Sequence, residues 1–179
     1  MVIISVYTIL VLIATFIMGT KLYKKSGTRL DIKIKDFVEG NRTPQSYKIM
    51  SQITRLANVE TIFILVLVLT LFFINNRNHV AATSILLAAV FSTIASHGLK
   101  ILFKRSRPIK RKELNYVGYS FPSGHSTIGI CFYTVLGYLM TQLYGFNPIV
   151  TIFAFMLGLI VAFSRIYLSA HWTIDVLFG

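Results

Sequence analysis

Hydrophobic positions in this chain are bunched. Five nearly uninterrupted apolar runs occupy residues 2–19, 57–75, 80–103, 123–144 and 149–168. Each is close to the ~20 residues that carry a helix across the hydrocarbon of a bilayer. Lipid offers no hydrogen-bond partner to a backbone N–H or C=O, so such a run must satisfy its own backbone as α-helix. The pattern predicts an all-α fold: a polytopic transmembrane helical bundle of five spans, forming one membrane-embedded domain over residues 1–179. Two breaks are short, Asn75-Asn76-Arg77-Asn78-His79 between the second and third runs and Gly145-Phe146-Asn147-Pro148 between the fourth and fifth. Links of this length make the flanking helices antiparallel neighbours.

Residues 20–56 interrupt the pattern. Leu30, Ile32, Ile34, Phe37 and Val38 mix with Asp31, Lys33, Lys35 and Asp36. The stretch is amphipathic enough to lie along the membrane surface; a solvated loop is the other reading. There is no internal repeat and no low-complexity tract.

Composition agrees with the membrane reading. The chain is 55% apolar and 13% charged, with mean hydropathy +0.69, against about 25% charged residues in a soluble domain. The net charge of +12 sits beside the apolar runs and does not form a soluble basic face. That placement argues against nucleic acid and for anionic headgroups or a phosphorylated ligand. Cys131 is the single cysteine, so no intrachain disulfide can form. The N-terminal run lacks a basic leader and a small-x-small cleavage site, and reads as a retained anchor.

Three motifs stand at the mouths of the apolar runs: Lys100-Ile-Leu-Phe-Lys-Arg-Ser-Arg107-Pro108, Phe121-Pro122-Ser123-Gly124-His125, and Ser164-Arg165-Ile-Tyr-Leu-Ser-Ala-His171-Trp-Thr-Ile-Asp175. Antiparallel spans bring all three to one face of the membrane. Arg107 and Arg165 can grip phosphate oxygens with bidentate forks, and Lys100 adds a point charge. Ser123 and Gly124 open a helix, where free N–H groups and the dipole favour an anion. His171 and Asp175 are four apart and share a helix face. A carboxylate on one imidazole nitrogen would leave the other free to attack. His125, from another span, can protonate a leaving oxygen. Neither a carboxylate cluster nor Cys/His metal-ligand spacing is present, so no metal or other cofactor is expected.

Other residues take plainer readings. Lys104, Arg105, Lys110, Arg111 and Lys112 are expected to snorkel at a span end. Trp172 and Tyr167 read as interfacial aromatics. His97 reads as a helix residue and His79 as solvated. Phe121, Tyr116 and Tyr119 suit either loop packing or a lipid tail. Asn41-Arg42-Thr43 matches a glycosylation acceptor by spacing alone.

The pattern Lys-x6-Arg-Pro, Pro-Ser-Gly-His, Ser-Arg-x5-His-x3-Asp resembles the type 2 phosphatidic acid phosphatase family of membrane lipid phosphatases, whose site the vanadium haloperoxidases share. The match covers Lys100 to Asp175, with a weaker likeness over Leu30-Asp31 to Arg42 and Ile53-Thr54. The resemblance implies a metal-free site in which His171 becomes a phosphohistidine oriented by Asp175 and His125 is the acid and base. It also implies that Lys100, Arg107, Ser123, Gly124 and Arg165 hold the phosphate. The family usually has six spans, and the given sequence stops at Gly179, four residues after Asp175. A sixth span is therefore expected to be missing, either because the sequence is truncated or because another chain, as in a homo-oligomer, supplies the packing, and Asp175 is expected on a frayed end.

The expected partners are the bilayer and a phosphorylated membrane lipid. A polyprenyl (undecaprenyl) diphosphate of cell-wall carrier recycling comes first, and phosphatidylglycerophosphate, phosphatidic acid or a lipid A phosphate are competitors. Residues 109–121 and the groove between helices are where lipid choice is expected to reside. A lipid phosphotransferase and an inactive membrane scaffold remain alternative classes. The expected location is the cell membrane. Arg77 apart, the Lys and Arg residues fall on the motif side, which the positive-inside rule makes cytoplasmic, whereas the family resemblance implies an outward-facing site.

Overall fold

The computed structural model describes residues 2–108 and 118–179, with side chains described from Leu10 onward. Among these residues the regular structure is helical: α1 (Val2–Lys21), α2 (Arg29–Gly40), α3 (Pro44–Ile53), a 3-10 turn (Thr54–Ala57), α4 (Val59–Asn75), α5 (His79–Phe103), α6 (Gly124–Tyr144), α7 (Ile149–Tyr167) and α8 (Thr173–Leu177). Local signals in the sequence set most of these ends. Thr28 and Thr43 close capping boxes with Asp31 and Ser46, and Pro44 takes the first position of α3. Asn78 caps α5 by accepting the N–H of Ala81 at 3.0 Å. Gly145 ends α6 in the left-handed region at φ 64°.

Three helices, α5, α6 and α7, are individually long and apolar enough to cross a membrane. The expected span over 57–75 is realised differently. α4 has 17 residues and meets the same test only together with Pro44–Ala57, from which it bends by 44°. Asn58, extended at ψ 152°, makes the break. Of the first run, Leu10–Lys21 is described as a shorter apolar helix. The result is a multi-pass membrane-embedded helical bundle in which, among the described residues, three helices, or four with the bent pair, meet the length and composition of a span. The stretch 20–56 is neither a plain loop nor one helix. It forms α2 and α3, which expose Leu30, Ile32, Phe37 and Ile49 beside Lys33 and Lys48.

The bundle is held by two apolar clusters. One joins α4, α5 and α6 through Ile62, Phe73, Ile85, Phe132 and Leu139. The other gathers Leu22, Phe103, Phe121 and Ile174 under the motif-bearing end. Phe121 is thus loop packing, edge-on to Phe103 at 5.6 Å. α6 and α7 approach most closely, at glycines: a Cβ on Gly158 would lie 2.7 Å from the Ile130 Cα. Small residues allow such approach where lipid supplies no hydrophobic drive between helices.

Candidate active site

Antiparallel threading brings the starts of α4 and α6 and the ends of α5 and α7 to one end of the bundle. There they enclose a cavity of about 550 Å³ whose lining includes Asn58, Thr93, Ser96, His97, Lys100, Arg107, Gly124, His125, Arg165 and His171. Six of the eight residues singled out are therefore neighbours, drawn from all three motifs. Ser123 and Asp175 stand behind this wall. Ser123 is fully buried and caps α6, its Oγ accepting the Ser126 hydroxyl at 2.9 Å and the Ser126 N–H at 3.4 Å. Its own N–H donates to the Asp175 carbonyl at 2.8 Å, which ties the start of α6 to α8. Gly124 leaves room for the cation: a Cβ there would sit 3.2 Å from Lys100 Nζ and from Ser96 Oγ.

His171 is 3% exposed. Its Nδ1 lies 2.8 Å from the Ser120 carbonyl oxygen, an acceptor only, so Nδ1 carries the proton and Nε2 the lone pair. Arg107 Nη1 lies 3.1 Å from Nε2 and also donates to the Ala170 carbonyl at 3.0 Å. Burial pushes the imidazole well below its ordinary pKa, and Arg107, Arg165 and Lys100 push the same way. A neutral imidazole can act as a nucleophile at neutral pH once its lone pair is released from a donor such as Arg107.

The direct pairing expected between His171 and Asp175 is not what forms. Asp175 Oδ2 is 3.7 Å from Nδ1; it instead accepts the Ser120 hydroxyl and the Trp172 N–H, the latter at 2.8 Å. The five-residue α8 turns back so tightly that the carboxylate caps its own helix start. Nor is Asp175 on a frayed end, since it is fully buried. Burial pushes its carboxyl above the usual range, while Arg105, the Ser120 hydroxyl and the Trp172 N–H pull it down.

Several residues were misread or missed. Arg105, expected to snorkel, is wholly buried between Asp175 and Asp31, to which it donates at 2.5 Å and 2.6 Å. The chain turns at Lys104, at φ 50°, and this directs the next side chain inward. Trp172 is buried, not interfacial, and its indole N–H donates to the Ser106 carbonyl at 2.8 Å. The Tyr167 hydroxyl reaches Ser46 Oγ at 2.5 Å. Asn58 was passed over, and Thr54 was named only within the weaker likeness: Asn58 Oδ1 accepts from His125 Nε2 at 3.1 Å, and Thr54 Oγ1 accepts from Arg165 Nη1 at 2.7 Å. An Asn before an apolar run signals a helix cap, yet Asn58 makes no side-chain cap bond. Lys110, Arg111, Lys112, Tyr116 and most of the suggested specificity stretch 109–121 lie outside the described residues.

A second, apolar groove of about 480 Å³ runs between α4 and α5, lined by Ile62, Phe63, Val66, Leu86 and Val90 among others. It shares Val59, Thr93 and Ile128 with the polar cavity. Among the described residues no group of three or more His, Cys, Asp or Glu side chains converges as a metal site would.

Comparison with known proteins bears on this geometry. Over 101 residues the chain is 34% identical to phosphatidylglycerophosphatase B of Bacillus subtilis, covering 53% of this chain and 50% of that protein. It is 35% identical over 109 residues to dolichyldiphosphatase 1 of Dictyostelium discoideum, covering 58% and 48%. The chain thus spans about half the length of these relatives. In three dimensions it is similar to the transmembrane PAP2-type phosphatidylglycerolphosphate phosphatase from Bacillus subtilis, with TM-score 0.83 and 24% identity over 96% of this chain and 87% of that one. It is also similar to Aquifex aeolicus LpxE, with TM-score 0.64 and 21% identity over 84% and 87%. Residues 81–179, which contain the three motifs and the greater part of the cavity wall, match the model of the PAP2 superfamily, and to that superfamily the chain belongs.

Proposed function

We propose that this chain is an integral membrane lipid phosphatase that hydrolyses a phosphomonoester or diphosphate through a phosphohistidine. The observation that carries the reading is the junction of the two cavities. A cationic pocket lined by the imidazoles of His97, His125 and His171 opens through Val59, Thr93 and Ile128 into an apolar groove between two bundle helices. A ligand matching both is a phosphate on a long hydrocarbon chain, with the chain in the groove and the head in the pocket.

In the proposed reaction Arg107, Arg165, Lys100 and the N–H groups at the start of α6 hold the phosphate oxygens. Nε2 of His171 attacks phosphorus as the bond to the lipid oxygen breaks, and His125 gives that oxygen its proton. Water then attacks the phosphohistidine, His125 takes the water's proton, and inorganic phosphate leaves. The cations stabilise charge on the equatorial oxygens throughout. Every step is carried by side chains of the pocket, so the reading includes independence from metal.

A polyprenyl diphosphate is the proposed substrate and phosphatidylglycerophosphate the main competitor; the two named relatives bracket that choice. The site is assigned to the outer face of the cell membrane. The deciding experiment is phosphate release by the purified chain from each lipid and from phosphatidic acid, beside His171→Ala. Release that vanishes with His171 upholds the reading; release that persists in the variant overturns it.

A further inference from the structure

One charged chain lies behind the cavity and takes part in none of the steps above. Arg105 is 0% exposed. Its Nη1 donates to Asp175 Oδ1 at 2.5 Å and its Nη2 to Asp31 Oδ2 at 2.6 Å. The other oxygen of Asp31 accepts the N–H of Ile174 at 3.0 Å, on the helix that follows His171. Asp31 is itself steadied by Thr28, whose hydroxyl donates to Oδ2 at 2.8 Å. The Arg105 backbone joins in as well, its carbonyl accepting the Ser120 N–H at 2.8 Å.

Both supports of the His171 ring thus end on this chain. Ser120, whose carbonyl holds Nδ1, is fixed to the Arg105 backbone. The turn 172–175, which carries the ring, is fixed through Asp175 to the guanidinium and through Ile174 to Asp31. Removing charges from water costs several kcal/mol per ion, and apolar side chains of similar volume often fill such a place at least as well. A buried acid–base–acid set is weak support for stability. It does, however, hold a backbone turn at a set distance and angle, which attack on phosphorus demands.

We propose that Arg105 and Asp31 are positioning residues for phosphoryl transfer, holding His171 in its attacking pose from behind and coupling the surface helix α2 to the nucleophile. This rests on the phosphatase reading above. A clamp that merely held the fold together would alter stability without a selective effect on the chemical step.

Asp31→Asn keeps the shape and an acceptor for Ile174 while removing the charge. It is expected to lower kcat roughly 10- to 100-fold with KM within about twofold, because the phosphate cradle is untouched. In Asp175→Asn the same substitution should add little, since both act through Arg105. The 15N resonance of the His171 Nδ1–H group is expected to shift in folded Asp31→Asn. Should that variant not fold, Thr28→Ala, which removes only the hydroxyl steadying Asp31, is expected to show a smaller loss and shift of the same kind. An unchanged kcat, independent additive losses, or an unmoved Nδ1–H resonance would overturn the proposal. If the wild-type chain hydrolyses no lipid, the phosphatase reading fails by itself, and the resonance, which needs no turnover, still decides the positioning.

Discussion

The Nδ1 proton of His171 goes to the carbonyl oxygen of Ser120, 2.8 Å away, while the carboxylate of Asp175 stands back at 3.7 Å. A backbone acceptor therefore fixes the tautomer, and no side-chain substitution removes it. Asp175 instead accepts the Ser120 hydroxyl and the Trp172 N–H, contacts that on the proposed mechanism would act on geometry. Asp175→Asn is expected to lower kcat roughly 10- to 100-fold, whereas His171→Ala is expected to lower it by about 10⁴-fold or more, as loss of a nucleophile does. Phosphate-release assays on both, with insertion checked by membrane fractionation, test the ranking. Equal losses would restore Asp175 to the direct role.

The depressed pKa of His171 has a sign that stability measurements can read. The folded imidazole refuses a proton that the unfolded chain accepts near pH 6.5. Its contribution is complete above that pH and is lost as pH falls toward the folded value, by up to ~1.4 kcal/mol per unit. Between pH 6.5 and 5, Tm in detergent should fall more steeply for the wild-type chain than for His171→Gln. Parallel curves would rule the linkage out.

Asn58 occupies the cap position of α4, yet its Oδ1 faces His125 Nε2 at 3.1 Å. Asn58→Ala is expected to lower kcat about tenfold by freeing the ring proposed as acid and base, an effect below the ~10²-fold or more that a general acid contributes. Substrate KM should stay near its original value. A change confined to KM would assign Asn58 to binding.

Vanadate is expected to inhibit competitively with the phosphorylated lipid, since it can take a five-coordinate geometry on Nε2. A chelator should leave turnover unaltered. Strong loss on chelation, reversed by one divalent ion, would replace the metal-independent scheme.

Gly158 and Gly98 form a matched pair. A Cβ at Gly158 would meet the Ile130 Cα at 2.7 Å and the Gly129 carbonyl at 3.0 Å, while one at Gly98 meets nothing within 4 Å. Gly158→Ala should destabilise by about 1–3 kcal/mol through overpacking. Gly98→Ala should be neutral or add up to ~1 kcal/mol through helix propensity. Thermal unfolding of both variants reads the contrast.

The apolar runs and the order of the motifs were enough to anticipate a helical membrane bundle and to place Lys100, Arg107, Gly124, His125, Arg165 and His171 around one site. Those readings depend on local composition and on antiparallel threading, both written along the chain. What stayed hidden depends on the path of turns. Arg105 looks like any cation at a span end until Lys104 takes a positive φ and directs it inward. Asp31 is one of only six acids, and that scarcity was the available hint that an acid on α2 had a buried partner. The partner of His171 is a backbone carbonyl, which no residue type announces. The second apolar run, 57–75, was legible as a helix, but the bend of 44° that joins it to Pro44–Ala57 lies in the backbone at Asn58 and has no hydropathy signal.

Arg107 rests against Nε2 of His171 at 3.1 Å. The reactive lone pair is thus masked by a cation held inside the same pocket. A neutral electrophile that wanders in has nothing to offer a guanidinium and finds the imidazole covered. A phosphate does have something to offer: on the proposed mechanism, by drawing Arg107 onto its own oxygens it uncovers the nitrogen that attacks it. The anion's charge then acts as an admission test as well as a handle, so modification by uncharged histidine reagents should be slow in the resting protein.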